Sequence, residues 1–281
     1  MKIAVLSGKG GTGKTTFSVN LQYILRNYTL IDADIEEPNS HLFFELKNIK
    51  TNFVTVNYPE VTNAKCTLCG ECGKICSFNA IIPAKRSVLV FKESCHDCGG
   101  CKLVCKYNAI TYKKRDIGEI FFAETNLKTK LIYGKLNIGE LSGVSIIKEL
   151  NKFVQTENNI IIDCPPGAAC STLTAVEMSD YAVIVSEPTP FGVSDMKIIV
   201  ELLRELNKPF GVVVNKSGIG NNEIYEYCNS QNIKIIGEIP FMREIAINYS
   251  KGQIISEFIN DYYENIKAIS ITLIGESNEN K

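Results

Sequence analysis

The sequence predicts an α/β fold: a doubly wound, mostly parallel sheet with a small cysteine-rich segment inserted near its start. Three observations carry this. Short apolar runs recur from Ile3-Ala4-Val5-Leu6 to the run ending at Ile239, with helix-like patterns between them, the alternation of βαβ units. A glycine-rich stretch, Gly8-Lys9-Gly10-Gly11-Thr12-Gly13-Lys14-Thr15-Thr16, follows the first run directly. Eight of the eleven cysteines lie between Cys66 and Cys105, in two runs of one spacing.

Taken in order, Met1 to Leu6 reads as a buried strand and the segment from Thr16 as a helix to about Asn27, with Phe17, Leu21, Ile24 and Leu25 on its apolar side. Tyr28 to Ile31 is a second strand ending in Asp32-Ala33-Asp34. Asn52 to Val56 alternates like a strand, and Pro59 punctuates its end. The cysteine segment spans 60–118 and divides the chain into 1–59, 60–118 and 119–281. Beyond it, Ile120 to Ala123 and Lys130 to Tyr133 read as strands and Gly143 to Val154 as a helix. Ile160-Ile161-Ile162 delivers Asp163. Tyr181 to Val185, Phe210 to Val214 and Lys234 to Ile239 are further strands; Val193 to Leu206 and Ile254 to Leu273 are helical. The polar motifs Gly8 to Thr15, Asp32/Asp34, Asp163, Glu187 and Asn215 all fall at carboxyl ends of strands, where such sheets place ligands.

The glycine-rich stretch satisfies G-x-x-x-x-G-K-[ST], the phosphate-cradling P-loop. Glycines let backbone N–H groups turn inward as an anion nest, and the helix behind them offers its positive end. Lys14 is expected to reach the outer phosphates, and the Thr15 hydroxyl to ligate Mg²⁺. Asp163, at the end of three isoleucines, can hold the same Mg²⁺ through a water.

Cys66-x-x-Cys69-x-x-Cys72-x-x-x-Cys76 and Cys95-x-x-Cys98-x-x-Cys101-x-x-x-Cys105 repeat with an offset of 29 residues, and Ser-Phe-Asn-Ala-Ile after the first answers Lys-Tyr-Asn-Ala-Ile after the second. Three thiolates at this spacing can hold one face of an iron–sulfur cube. Structural zinc uses paired C-x-x-C halves and fits the spacing poorly. From Lys65 to Asp116 there are ten Lys/Arg and four Asp/Glu, a balance that offsets negative clusters. Cys164 and Cys228 read as buried apolar residues. His41 and His96 are assigned no ligand role.

The whole chain is similar to one family. K-G-G-x-G-K-T-T resembles the deviant P-loop of the MinD, ParA, nitrogenase iron protein and Mrp class of ATPases, and the cysteine runs resemble an inserted bacterial ferredoxin of α+β type. The resemblance implies that Gly8 to Thr16 binds ATP or ADP and that Lys9 reaches the partner subunit's nucleotide in a dimer. Asp32-x-Asp34-x-x-x-x-Asn39 resembles switch I, with Asp34 orienting the attacking water and Asp32 on the metal side. Asp163-x-Pro165-Pro166-Gly167 resembles switch II. Asn215 and Pro240 match adenine contacts. Bacterial ferredoxins cross their ligands, which assigns Cys66, Cys69, Cys72 and Cys105 to one [4Fe–4S] cluster and Cys95, Cys98, Cys101 and Cys76 to a second, covered by Ile81, Ile82 and Ile110. The proline usual after the fourth cysteine is here Ser77 and Lys106. Cys170 resembles a cluster ligand of the nitrogenase iron protein, although a core cysteine is the simpler reading.

These implications converge on an ATPase coupling nucleotide-driven dimer changes to electron transfer, or alternatively on a carrier or scaffold for iron–sulfur or mixed-metal cofactors. The expected partners are a second copy or a paralogue and a redox or assembly protein. A net charge of -1 argues against general nucleic-acid binding. No apolar run approaches a membrane span, and the acidic Glu257 to Lys281 does not suit an anionic membrane. A cytoplasmic location is expected. An amidotransferase-type synthetase would need a further domain for which this length leaves no room.

Overall fold

The computed structural model describes residues 1–279; the last two residues of the segment Glu257 to Lys281 lie outside it. In chain order the elements are β1 (Lys2–Leu6), α1 (Lys14–Ile24), β2 (Thr29–Asp32), β3 (Leu46–Val61), α2 (Glu71–Lys74), β4 (Ile81–Pro83), β5 (Val88–Val90), α3 (Gly100–Leu103), β6 (Ile110–Thr125), β7 (Lys130–Leu136) and α4 (Val144–Thr156). There follow β8 (Ile160–Asp163), α5 (Cys170–Val176), β9 (Tyr181–Ser186), α6 (Pro190–Glu205), β10 (Phe210–Ser217), α7 (Glu223–Ser230), β11 (Ile235–Pro240), α8 (Arg243–Ser250) and α9 (Asn260–Glu279). Among the described residues, nine strands form one sheet in the order β11-β10-β9-β1-β8-β2-β7-β6-β3, and β4 pairs with β5 alone.

From β11 to β7 the pairing is parallel; β6 and β3 complete the sheet antiparallel. The interiors of the central strands β1, β2, β8 and β9 are apolar because both faces are covered, and their polar residues stand at the strand ends. Successive side chains alternate between two cores, as a pleated strand requires. Ala4, Leu6, Ile160 and Ile162 pack with α4, α5, α6 and α7. Ile3, Val5 and Ile161 pack with α1 and α9. The parallel register sets Val5 opposite Asp163 and Asp163 opposite Asp32, so the acidic strand ends stand side by side.

The antiparallel edge is where the architecture departs from expectation. The alternation seen over Asn52 to Val56 is the middle of a 16-residue strand, and the expected boundaries at 60 and 118 fall within β3 and β6. Pairing of β6 with β7 stops at Gly118 and Leu136, whereas β3 and β6 stay paired out to Val61 and Ile110. The two strands therefore leave the sheet as a ribbon that carries residues 62–109 at its tip. A register shift between Val54 and Thr55, opposite Gly118 and Asp116, leaves Ile117 as an extra residue at the root of the ribbon, a bulge that bends the strand locally. Thr111 to Asp116 are largely exposed or half-buried, so no apolar alternation marked them as strand.

Residues 62–109 are a duplicated unit. Left-handed backbone recurs at Leu68 and Asp97, Gly70 and Gly99, and Asn79 and Asn108. The one-turn helices α2 and α3 each follow such a glycine. Ile81 and Ile110 are buried with Cys101 in a small separate core. Ile82, expected to help cover the cysteines, is exposed, because on β4 it alternates to the opposite face from Ile81.

Candidate functional site

The P-loop is held from two sides. A Cβ on Gly8 would lie 2.4 Å from the Asp195 carbonyl oxygen on α6, and one on Gly13 would lie 2.3 Å from Asn215 Nδ2 on β10. Gly11 and Gly13 have φ of 80° and 91°, conformations that disfavour side chains. Gly13 then hands the chain to α1, whose first residues are Lys14 and Thr15.

Buried Lys14 and Asp163 form a tight set with half-buried Thr15. Lys14 Nζ donates to Asp163 Oδ1 at 2.9 Å and lies 3.7 Å from Asp34 Oδ2. Thr15 Oγ1 donates to Asp163 Oδ2 at 2.6 Å, and Ser18 Oγ is 3.0 Å from Oδ1. Burial alone would lower the Lys14 pKa, but Asp163, Asp34 and Asp32 outweigh it and raise it. The buried Lys14 therefore keeps its charge.

Asp34 is pushed up to about 6, chiefly by burial, with Lys14 opposing the rise. Asp32 is fully buried and pushed up to about 7 by burial and then by Asp163. Asp32 also anchors the segment that follows it. Its Oδ1 accepts from Asp34 N at 3.0 Å, and its Oδ2 from Asn39 N at 3.1 Å, Ser40 N at 3.0 Å and Ser40 Oγ at 2.7 Å. Asp32 thus ties both ends of the segment 34–40 to β2.

These groups open on a cavity of 830 Å³ lined by Gly10, Gly11, Gly13 to Thr16, Asp34, Pro165, Pro166, Asn215, Pro240 and Phe241. That volume is of the order a nucleotide needs. Asn39, which lines the cavity, has a buried Oδ1 with no hydrogen-bond partner among the described residues; a polyphosphate with its hydrated cation supplies what such an atom lacks. The Asn215 amide is engaged, with Nδ2 donating to Thr12 O at 2.6 Å and Oδ1 accepting from Lys216 N. Tyr249 and Ile245 of α8 add apolar lining. They went unread because α8 shows little apolar periodicity.

Lys9 is placed at the rim. Its Nζ is 3.9 Å from Glu187 Oε2, and Lys216 Nζ pairs with Glu187 Oε1. Glu187 thus pairs with a lysine of the P-loop and with Lys216, a role that no motif in the sequence marks. Its signal is a carboxylate at the carboxyl end of the apolar run Tyr181 to Val185.

The cysteine runs make two further cavities. One is lined by Cys66, Cys69, Cys72 and Cys105. The other is lined by Cys95, Cys98, Cys101 and Cys76. Each run thus contributes three thiols to one cavity and its last thiol to the other. Ala80 N donates to Cys76 Sγ at 3.3 Å and Ala109 N to Cys105 Sγ at 3.4 Å, equivalent bonds in the two halves. Burial raises the Cys72 and Cys95 thiols. Phe78 stacks on His96 with ring centroids 3.7 Å apart, beside the second cavity. No group of three or more His, Cys, Asp or Glu among the described residues is arranged to hold a single metal ion. Cys170 is exposed at the start of α5, while Cys164 and Cys228 are buried.

The description "CobQ/CobB/MinD/ParA nucleotide binding domain" matches residues 3–255. The chain belongs to this family. Among relatives of this family member, an uncharacterised protein of Methanocaldococcus jannaschii is 35% identical over 95% of this chain and 96% of its own length. An iron-sulfur cluster carrier protein of Aquifex aeolicus is 25% identical over 89% of this chain and 60% of that protein. Among solved structures, the cell division ATPase MinD of Pyrococcus furiosus superposes with a TM-score of 0.60 at 17% identity, covering 98% of each chain, a likeness of fold. No helix among the described residues is long and apolar enough to cross a membrane.

Proposed function

We propose that this CobQ/CobB/MinD/ParA-family protein is an ATPase that couples binding and hydrolysis of Mg·ATP to electron transfer through two [4Fe–4S] clusters. The observation that carries the reading is one chain with a P-loop cavity and two four-cysteine cavities, joined by a ribbon whose root is linked through residues 136 and 137 to Ile35 in the lining of the nucleotide site. In this reading Lys14 and the P-loop amides bind the phosphates, and Thr15 and Asp163 hold Mg²⁺. Asp34 orients the attacking water, and the γ-phosphoryl group passes to it in line. Lys9 leaves Glu187 to reach the phosphates of a second copy or a paralogue.

The donor sets fit the clusters in number and type: four thiols around each cavity, with an amide donor on the crossing cysteine. Bound there, [4Fe–4S] clusters supply one-electron redox chemistry. The protein's part is to position them and to answer the nucleotide.

The joint supplies the means. Leu136 N donates to Ile35 O at 2.8 Å in the segment next to Asp34, and Asn137 N donates to Ile117 O at 2.9 Å on the bulge. Arg115, one residue before Asp116 on the ribbon, pairs with Glu140, and both are nearly buried. A change in 34–40 driven by the γ-phosphate is passed to the base of the ribbon, since packed interfaces turn small shifts into rotations.

The alternative of a cofactor carrier is favoured by the relative named as a cluster carrier. Analysis of anaerobically purified protein tests the proposal. About eight iron and eight sulfide per chain, retained through ATP turnover, are expected for two resident cubanes. Zinc in their place refutes the clusters, and transfer of iron to an apo-acceptor on ATP addition moves the reading to a carrier.

A further inference from the structure

Charge is divided unevenly over this chain. Residues Lys65 to Asp116 hold ten Lys/Arg against four Asp/Glu, leaving twenty against twenty-seven for everything else. The basic excess is therefore local to the cysteine-bearing lobe and the outer ribbon. Lys74, Lys92 and Lys113 are paired with Glu71, Glu93 and Glu60. Lys65, Lys85, Arg86, Lys102, Lys106 and Lys114 make no ion pair among the described residues and are exposed.

One part of this surface combines charge with apolar area. Leu103, on α3, is 88% exposed and stands between Lys102 and Lys106 in sequence. Tyr107, 51% exposed, lines the first cysteine cavity. Lys102 Nζ lies 5.5 Å from the ring of Tyr112, which contacts Cys101 Sγ and lines the second cavity. The 29-residue repeat shows that these side chains are not required by the fold. At the equivalent positions in the other half stand Gly73, Lys74 and Ser77 in place of Lys102, Leu103 and Lys106. Of the two one-turn helices, α3 carries an exposed leucine between unpaired lysines, whereas the lysine of α2 is paired with Glu71.

We infer that the face formed by Lys102, Leu103, Lys106 and Tyr107 docks an acidic electron-transfer protein. The inference rests on the proposed clusters, because they give a reason to bring a partner against this face. An apolar centre with a charged rim is the anatomy of a transient interface. The sign of the rim selects an acidic partner and steers it, while the acidic remainder of the chain turns the same partner away from the ATPase body. A second copy of this chain, which also has an acidic body, and nucleic acid are the competing occupants.

The test uses the full anaerobic chain and four probes: an acidic flavodoxin, a basic cytochrome c, a DNA duplex, and the chain itself in sedimentation. Flavodoxin is expected to bind, and to bind about tenfold more weakly when ionic strength rises from about 0.02 M to about 0.2 M. Lys102→Glu/Lys106→Glu should weaken binding at low salt by about tenfold, the effect of two rim charges. Leu103→Ala should weaken it at both salts. Lys50→Glu/Lys148→Glu, exposed sites on the body, should change nothing. ATPase rate and iron content should be unaltered in all of these variants. The inference is overturned if flavodoxin does not bind or binds the Lys102/Lys106 variant equally well. It is also overturned if cytochrome c or DNA binds more tightly, or if the same variant abolishes self-association instead. Loss of the clusters with salt-dependent flavodoxin binding intact would refute the proposed function and leave the surface standing.

Discussion

Asp163 meets Lys14, Thr15 and Ser18 through its two oxygens, so one carboxylate positions both the amine proposed to bind phosphate and the hydroxyl proposed to bind the metal. Lys14→Ala is expected to abolish nucleotide binding in a calorimetric titration. Asp34→Ala should keep binding within a few-fold and lose turnover by about 10²-fold or more, the scale for a residue that positions the nucleophile. Asp32 adds a pH signature to the nucleotide-free protein. Its pKa is raised from an ordinary carboxylate value to about 7, so the folded state binds this proton more tightly than the unfolded chain. The resulting stabilisation is complete below about pH 4 and is lost as pH rises through about 7. Asp32→Asn should flatten that part of the Tm–pH curve; an unchanged slope would mean that other groups carry it. The P-loop, Asp34 and Asp163 were legible because their chemistry demands fixed residue types at fixed spacing. The anchoring role of Asp32 and the lysine pairing of Glu187 were not, because both depend on groups brought near by folding, such as Lys216 for Glu187.

Among the elements, the ribbon of β3 and β6 has the most to explain. At its root a Cβ on Gly118 would lie 2.3 Å from the Lys135 carbonyl oxygen and 2.5 Å from Ile146 Cδ1. Gly118→Val should therefore cost about 1–3 kcal/mol in denaturant unfolding; a neutral result would show that the joint yields easily. The crossing of the cysteines makes a second prediction. Cys76→Ser should damage the cluster associated with Cys95, Cys98 and Cys101, and Cys105→Ser the one associated with Cys66, Cys69 and Cys72, as read by loss of separate signals in the EPR spectrum. The central parallel strands were legible because burial on both faces makes them continuous apolar runs. The ribbon was hidden because outside the sheet its residues face water on both sides, and period-two alternation disappears. The short helices α5, α7 and α8 escaped for a related reason: eight residues or fewer give too few turns for a helical period to show.

For the whole molecule, the account requires that the nucleotide site and the cysteine lobe act on each other, and the chain offers one continuous route, from Asp34 through Ile35, Leu136, Asn137 and Glu140 to Arg115 and Ile117. Linkage requires reciprocity: whatever ATP does to the lobe's partner affinity, the partner does to ATP affinity. Lys9→Ala should leave nucleotide binding intact and remove analogue-driven dimerisation in sedimentation; dimerisation equal to wild type would leave Lys9 a rim residue paired with Glu187. The most direct test of the coupling is the reduction potential of the clusters, measured by EPR-monitored titration of the anaerobic chain with and without a non-hydrolysable Mg·ATP analogue. The account predicts that the analogue shifts at least one potential by 30 mV or more (about a threefold change in a one-electron equilibrium), and that Arg115→Ala, with its iron content intact, loses the shift. Potentials that ignore the nucleotide in a chain with both clusters and active ATP turnover would contradict it.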